Sequence, residues 1–216
     1  MRNAWIFDLD GTLVDSLPGI AASLNYALSA CGCRTHDAAA VRGFIGDGAE
    51  MLVRRAVGHD DAVMQERVLA QFREHYAAHW HEGTVPYEGI VPLLHDLHQR
   101  GHLLAVLSNK PHPFTAEIVE RLFPCVFAVV LGQRPGIPHK PDPTGLREIL
   151  QSLTWSAARA AMIGDSVMDL QTAHAAGIDA VAVTWGYHDR PALLAAQPAV
   201  QCEDIAELTR WMIQGE

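Results

Sequence analysis

Short, wholly apolar runs recur along this chain of 216 residues, and they restrict its fold more than any other feature. Each run is bounded by glycine or polar residues, and apolar and polar residues do not alternate within it. This pattern is typical of strands in a parallel sheet that is covered on both faces. The predicted strands are residues 4–7, 103–107, 126–131, 160–163 and 180–183.

Helical patterns lie between most of these runs. Residues 111–122 begin with a proline, which favours the first turn of a helix. Residues 143–150 and 167–176 are similar in length, and Gly177 is a candidate C-terminal cap for the latter. Because strands and helices alternate, we predict the α/β class, with a Rossmann-like parallel sheet at the core.

One long segment interrupts this alternation. Residues 15–84 contain no convincing strand, whereas residues 20–31, 49–57 and 61–80 have helical patterns. We therefore predict that residues 15–84 form an all-helical cap domain, inserted after the first strand. The core domain would then comprise residues 1–14 and 85–216.

The charge balance disfavours two classes of partner. The chain carries 25 acidic and 16 basic residues, which gives a formal net charge of −9. Nucleic acids and anionic lipids are bound through clustered cations, so we expect neither as a partner of this monomer or homodimer. No apolar run approaches the roughly 18 residues of a membrane helix, and acidic residues interrupt the apolar N-terminal segment that a secretory signal would need. Four cysteines without a CxxC pair favour a reduced, cytoplasmic location.

Polar and charged residues follow the predicted core strands. Ligands of open α/β sheets bind at the carboxyl ends of the strands, so these residues are expected to lie close together. Carboxylates repel one another unless a cation separates them, and oxygen ligands without Cys or His favour Mg²⁺. The residues concerned are Asp8, Asp10, Ser108, Asn109, Lys140, Asp165 and Asp169.

This set of side chains suits phosphoryl transfer. A carboxylate such as Asp8 can attack phosphorus and divide hydrolysis into two steps through an aspartyl-phosphate. A second acid, Asp10, would protonate the leaving oxygen and later deprotonate water. Lys140, Ser108 and Mg²⁺ are candidates for neutralising the charge of the transition state. The side chain of Asp10 reaches the same side as Asp8 only if the chain turns there, which Gly11 permits.

Four segments resemble, in order, the four motifs of the haloacid dehalogenase-like hydrolase superfamily. They are residues 8–16, 108–110, 140–141 and 164–169, and each follows a predicted strand. The resemblance covers nearly the whole chain. It implies a Mg²⁺-dependent phosphatase that acts on a small phosphorylated metabolite.

The resemblance also implies a role for each motif residue. Two residues would carry the covalent and proton-transfer chemistry, with Asp8 as the nucleophile and Asp10 as the acid and base. The residues expected to bind phosphate or substrate are Thr12, Ser108, Asn109 and Lys140. The residues expected to hold Mg²⁺ are Asp8, Asp10 (through its backbone carbonyl), Asp165 and Asp169.

A finer resemblance, to the phosphoglycolate phosphatase branch, implies 2-phosphoglycolate as the best single candidate substrate, converted to glycolate and phosphate. In the predicted cap, backbone N–H groups around Gly46 are expected to face an anion. Arg55 is a candidate partner for a substrate carboxylate. Asp47 is a candidate cap for the helix that follows it. The segments that carry the resemblance are residues 44–49 with 52–56, 108–111 with 113–114, and 185–187.

Other interpretations of the same residues stay open at this point. A sugar-phosphate phosphomutase of the β-phosphoglucomutase type, or another phosphatase of the superfamily, would share the aspartyl-phosphate chemistry. A receiver-like module phosphorylated on aspartate fits less well with the helical insertion. Ser166 and Asp169 have the spacing of a capping box, and Lys140 is alternatively a solvated loop lysine. Two histidine groups, residues 75, 79 and 81 and residues 95, 98 and 102, are interpreted as exposed helix residues rather than metal ligands.

Overall fold

The computed structural model describes residues 4–153 and 160–214, which fall into two compact units. The first, here called the sheet unit, comprises Met1–Val14 and Pro86–Glu216. The second, here called the helical unit, comprises Asp15–Val85. In the sequence, the helical unit therefore interrupts the sheet unit shortly after its first strand.

The sheet unit is built on short parallel strands. Numbered along the whole chain, and thus counted over both units, the strands are β1 Ala4–Phe7, β2 Val14–Asp15, β3 Val85–Pro86, β4 Leu103–Pro111, β5 Val129–Gln133, β6 Ala160–Gly164, β7 Asp179–Val183 and β8 Val200–Cys202. Six of them form one parallel sheet in the order β5-β4-β1-β6-β7-β8. The short strands β2 and β3 form a separate two-stranded sheet.

Strand β1 lies between β4 and β6 in the interior of the sheet. All four of its residues are apolar, which suits this position, and all four are buried there. Ile6 aligns with Ala105 of β4 and with Met162 of β6, and none of these three side chains is exposed. Burying one large aliphatic side chain in this way stabilises a fold by about 1.5–3 kcal/mol. The predicted α/β class with a parallel sheet is confirmed.

Helices accompany both units. Those of the helical unit are α1 Leu17–Ala30, α2 Ala38–Arg42, α3 Ala49–Val57 and α4 Ala62–His79, followed by a 3₁₀ turn at Trp80–Glu82. Those of the sheet unit are α5 Ile90–Gln99, α6 His112–Leu122, α7 Thr144–Ser152, α8 Val167–Ala176, α9 Arg190–Ala195 and α10 Ile205–Gln214. Leu146 of α7 and Leu170 of α8 pack in the same core cluster as Ile6 and Met162. Within the described residues, no helix combines the length and apolar character of a membrane span.

Helices α1 and α4 are joined within the helical unit. The Ser23 hydroxyl of α1 and Nδ1 of His75 in α4 lie 3.1 Å apart, at hydrogen-bonding distance. Near the end of the unit, the N–H of Gly19 donates to the carbonyl of Gly83 at 3.2 Å. A side chain at Gly83 would overlap the backbone of Gly19, so glycine is required for this close approach.

Several elements differ from the sequence-based expectation. Strand β4 continues to Pro111 instead of ending at Leu107, with a change of register between these residues. The polar triplet 108–110 therefore lies inside a strand and has a defined direction. Strand β5 begins at Val129, three residues after the predicted start. No bounds were predicted for α2, α5, α9, α10 or β8.

The second histidine group does not share one helix face. Helix α5 ends at Gln99, and His102 is buried just before β4, where its ring lies 5.9 Å from that of Trp5. The interpretation of His102 as an exposed helix residue together with His95 and His98 is therefore wrong. Its position between the helix and the strand makes it part of the packed interior.

Candidate active site at the carboxyl edge of the sheet

Three buried carboxylates meet where strands β1 and β6 end. Asp8 directly follows β1, and its N–H donates to the carbonyl of Ile163 at 2.9 Å. Asp165 directly follows β6, and Asp169 lies in the first turn of α8. One oxygen from each of these three carboxylates, here called the carboxylate cluster, lies within 4.8 Å of the others. The structure thus brings together three of the predicted metal ligands.

Lys140 contacts two members of the carboxylate cluster. Its Nζ lies 2.7 Å from Oδ1 of Asp8 and 2.6 Å from Oδ1 of Asp169, and it also donates to the carbonyl of Leu107 at 3.2 Å. The side-chain amide of Asn109 makes two hydrogen bonds to the backbone of Lys140. Its oxygen accepts from the Lys140 N–H at 2.8 Å, and its nitrogen donates to the Lys140 carbonyl at 3.2 Å. Since Lys140 is buried and fixed in this way, the solvated-loop interpretation is wrong.

Burial and mutual repulsion set the protonation of this cluster. The pKa of Asp8 is raised to about 8, first by burial and then by the charges of Asp169 and Asp165, against the lowering effect of Lys140. Burial lowers the pKa of Lys140, but the charges of Asp169 and Asp8 outweigh burial and leave this pKa raised. The lysine therefore stays charged, and Asp8 requires further positive charge nearby to be fully ionised at neutral pH.

Asp169 has two structural connections, one through each carboxylate oxygen. Its Oδ2 accepts hydrogen bonds from the N–H and the hydroxyl of Ser166 at 3.0 and 2.6 Å, and its own N–H donates to the Ser166 hydroxyl. This is the capping box that the spacing predicts, with Asp in place of Glu or Gln. Its Oδ1 contacts Lys140. The capping function and membership of the carboxylate cluster are therefore compatible.

Asp165 is held by two distant segments of the sheet unit. The buried Thr12 hydroxyl donates to its Oδ1 at 3.2 Å, and the N–H of Tyr187 donates to its Oδ2 at 2.7 Å. A Cβ atom at either Gly11 or Gly186 would overlap the Asp165 carboxylate. Only glycine fits at these two positions. This close packing against Asp165 explains why glycine occurs within the segment 185–187, which the sequence pattern alone did not explain.

Asp10 lies apart from the carboxylate cluster and has its own cation. Lys110 Nζ lies 2.7 and 2.8 Å from the two carboxylate oxygens of Asp10, and both side chains are largely buried. Ser108, a predicted phosphate ligand two residues before Lys110, is also buried. Its hydroxyl accepts a hydrogen bond from the N–H of Lys110 at 3.1 Å. Lys110 belongs to the motif at residues 108–110, but the sequence pattern does not show which carboxylate it faces and so predicts no role for it.

The two candidate residues of the predicted cap belong to the helical unit. Arg55 forms an ion pair with Asp47 and donates to the carbonyl of Phe44 at 3.0 Å. Gly46 and Gly48 both have positive φ angles, of 127° and 86°. Gly48 is the N-cap residue of α3, so the expectation that Asp47 caps this helix is wrong. The roles of Gly46 and Arg55 toward a substrate stay predictions.

Comparison with known proteins identifies the family. A family model described as haloacid dehalogenase-like hydrolase matches residues 5–183. The chain belongs to this family. A phosphoglycolate phosphatase of Rhodospirillum rubrum is 39% identical over 222 residues, with 98% of this chain and 91% of that protein covered. A second, from Mesorhizobium japonicum, is 37% identical over 190 residues, with 86% and 84% covered.

Solved structures of haloacid dehalogenase-like proteins agree with this assignment. A crystal structure from Lactobacillus delbrueckii subsp. bulgaricus, with a provisional phosphoglycolate phosphatase name, has a TM-score of 0.93 and 32% identity. The match covers 98% of this chain and 99% of the other. The predicted family and the predicted enzyme class, a phosphoric monoester hydrolase, are confirmed.

The carboxylate cluster fits the divalent cation that a haloacid dehalogenase-like fold implies. Its three carboxylates and the Lys140 ammonium leave two negative charges when all four groups are ionised, which one divalent ion would offset. The donors are all oxygen atoms, as hard cations prefer. The raised pKa of Asp8 is consistent with a cluster that lacks positive charge. Asp8, Asp165 and Asp169 would hold the ion.

Divalent ions are expected to stabilise the protein through this cluster. At an ion concentration of 100 times Kd, binding adds about 2.7 kcal/mol to the free energy of unfolding, a rise in Tm of roughly 5–10 °C for a chain of this size. Thermal melts with EDTA or with a divalent chloride measure this rise. We expect Asp165→Asn to reduce it strongly and Asp96→Asn, at an exposed ion pair with Arg100, to leave it unchanged. Equal rises in both variants would contradict the assignment of the cluster.

Proposed function

We propose that this protein hydrolyses a small phosphate monoester with Mg²⁺, through a phosphorylated Asp8, and that 2-phosphoglycolate is its best candidate substrate. The observation that carries the proposal is the separation of two carboxylates near the end of β1. Asp8 lies in the carboxylate cluster beside Lys140, whereas Asp10 lies outside it and pairs with Lys110. This separation supports the assignment of Asp8 as the attacking carboxylate and of Asp10 as the group that transfers protons.

In the first step, a carboxylate oxygen of Asp8 attacks phosphorus, and the bond between phosphorus and the ester oxygen breaks. The leaving oxygen takes a proton from the carboxyl group of Asp10. In the second step, water attacks the phosphorus of phospho-Asp8 and gives its proton to Asp10. Phosphate leaves, the carboxylate of Asp8 is restored, and Asp10 is again protonated.

The charge around Asp8 supports this sequence of events. Lys140 Nζ lies 2.7 Å from Oδ1 of Asp8 and so brings a positive charge to the nucleophilic carboxylate. Phosphoryl transfer spreads charge over the equatorial oxygens, and fixed donors such as Lys140 and the Ser108 hydroxyl lower the barrier without reorganisation. Mg²⁺, when bound, supplies the remaining positive charge that the carboxylates and the phosphoryl group require.

The assignment of the substrate rests on the similarity to proteins with a known name. Both curated relatives described above are named phosphoglycolate phosphatase, and the first covers 98% of this chain. The active-site carboxylates and lysines account for the chemistry but do not distinguish one small monoester from another. The substrate assignment therefore needs its own experiment.

A panel of small phosphate monoesters tests the proposal. We would measure phosphate release with Mg²⁺ and compare kcat/KM for 2-phosphoglycolate, phosphoserine, glycerol phosphate and glucose 6-phosphate. At least a roughly tenfold preference for 2-phosphoglycolate over glycerol phosphate and glucose 6-phosphate is expected, since these two lack a carboxylate and a paired substrate carboxylate contributes more than about 1.4 kcal/mol to discrimination. Flat values would remove the substrate assignment. Conversion of glucose 1-phosphate to glucose 6-phosphate without phosphate release would replace hydrolysis by a mutase reaction.

A further inference from the structure

Both lysines of the chain are buried in the active-site region. The sequence contains only Lys110 and Lys140, and every other basic side chain of the Lys/Arg type is an arginine. Lys140 contacts the carboxylates of Asp8 and Asp169, and Lys110 contacts both oxygens of Asp10. The two cations thus serve different carboxylates, and the proposed mechanism above uses only one of them.

Hydrogen bonds to both the N–H and the carbonyl fix the backbone of Lys110. Its N–H donates to the Ser108 hydroxyl at 3.1 Å, and its carbonyl accepts from the Thr115 hydroxyl at 3.1 Å. A side chain at Gly132 of β5 would overlap the Lys110 carbonyl and the Thr115 hydroxyl, so the neighbouring strand packs closely here. These contacts fix the backbone of Lys110, and they therefore limit the positions from which its ammonium group can contact Asp10.

The contact restricts the direction of the Asp10 carboxylate. Two oxygens at 2.7 and 2.8 Å from one Nζ atom define the rotation of the carboxylate plane. The Asp10 side chain is only 13% exposed, so water has little access to compete for it. If Asp10 carries a proton on one oxygen, Lys110 can still donate to the other, and the orientation survives each proton transfer.

We propose that Lys110 is a positioning residue for hydrolysis, which holds the carboxyl group of Asp10 in the direction required to give a proton to the leaving oxygen and to take one from water. The inference deepens the function proposed above and rests on it. Lys110 acts through Asp10 and does not bind the phosphoryl group. A displacement of about 1 Å of a catalytic group can reduce turnover by roughly 10²-fold.

The first test uses Lys110→Met, which keeps much of the buried volume and removes the charge. We expect kcat for an alkyl phosphate to fall about 10- to 100-fold without a rise in KM. The fall in kcat/KM should be at least about tenfold smaller for p-nitrophenyl phosphate, because p-nitrophenolate leaves without a proton. Asp10→Asn serves as the comparison and should show the same dependence on the leaving group. A rise in KM confined to substrates with a carboxylate would overturn the proposal, because Lys110 would then bind substrate.

The second test is a double-mutant cycle. If Lys110 acts only through Asp10, adding Lys110→Met to Asp10→Asn should produce no further loss of activity beyond about twofold. Multiplication of the two losses would overturn the proposal. Failure of the proposed function is distinguishable, because the wild-type protein would then release no phosphate from either substrate, or Asp8→Asn would retain full activity.

A spectroscopic measurement covers the case in which Lys110→Met does not fold. With two lysines, a protein labelled with ¹⁵N-lysine should give two side-chain ammonium signals, and Lys140→Met identifies one of them. Asp10→Asn should move the Lys110 signal much further than the Lys140 signal. Equal shifts of both signals, or no shift of the Lys110 signal, would show that the contact between Lys110 and Asp10 is not maintained in solution.

Discussion

Asp8→Asn should lower kcat for phosphate release by about 10⁴-fold or more, the scale seen when a nucleophile is removed from a preorganised site. Asn has nearly the same shape as Asp, but its amide oxygen is a poor nucleophile and cannot form a phosphorylated intermediate. Phosphate release with Mg²⁺, followed over many turnovers, measures the loss. Full activity in the variant would exclude a covalent mechanism through Asp8.

The same substitution should stabilise the protein when divalent ions are removed. The pKa of Asp8 in the folded chain is about 8, above its ordinary value of 3.8, because of burial and the charges of Asp169 and Asp165. Between these two values the unfolded chain binds fewer protons than the folded one, so folding stability decreases as the pH rises through that range. Asn does not ionise and avoids this loss.

We therefore expect Asp8→Asn to melt at a higher temperature than the wild-type protein in EDTA near pH 8. With a divalent ion present, the wild-type protein should gain more, because Asp8 is one of the three candidate ligands. The difference between the two Tm values is then expected to become smaller or to change sign. A lower Tm for the variant in EDTA would contradict the effect attributed to burial of Asp8.

Lys140→Met is expected to produce the second large effect, on stability as well as activity. Lys140 contacts Asp8 and Asp169 and is buried, so its removal leaves two carboxylates without their shared cation. Breaking a buried ion pair by deleting one partner costs about 3–5 kcal/mol. Phosphate release should fall to the level of Asp8→Asn, because the attacking oxygen also loses its neighbouring positive charge.

Urea unfolding in EDTA measures the change in the free energy of unfolding. Arg100→Met is the matched control, because it removes a cation from an exposed ion pair with Asp96 and should change stability by no more than about 0.5 kcal/mol. Added divalent ion should stabilise Lys140→Met more than the wild-type protein, since the cluster then lacks the ammonium group that offsets part of its carboxylate charge. Equal stability of the wild-type protein and Lys140→Met in EDTA would show that Lys140 does not neutralise the cluster.

The parallel sheet could be predicted because its interior strands are apolar on both faces. The observed bounds of β1 equal those of the first apolar run, and β6 extends its run by one residue, Gly164. Strand β8 was missed for a physical reason, since it has three residues at the edge of the sheet, and Gln201 in its centre interrupts any apolar run. A short, partly exposed edge strand carries little hydrophobic signal.

The residue types of the site could also be predicted, but their pairing could not. The order of the motifs indicated Asp8, Lys140, Asp165 and Asp169 as neighbours, and the structure brings these four together. The contact between Lys110 and Asp10 depends on the continuation of β4 beyond Leu107, which the sequence pattern did not indicate. Tertiary geometry of this kind leaves no periodic trace in one sequence.

The burial of both lysines gives the molecule an unusual chemical surface. Reagents that acylate or alkylate primary amines find no accessible lysine side chain on the folded protein, because Lys110 and Lys140 are enclosed by carboxylates. Both lysines should therefore react with an amine-reactive dye much more slowly in the folded chain than after unfolding in urea. The rate at which Lys110 and Lys140 become labelled would then report how often the active-site region opens to solvent.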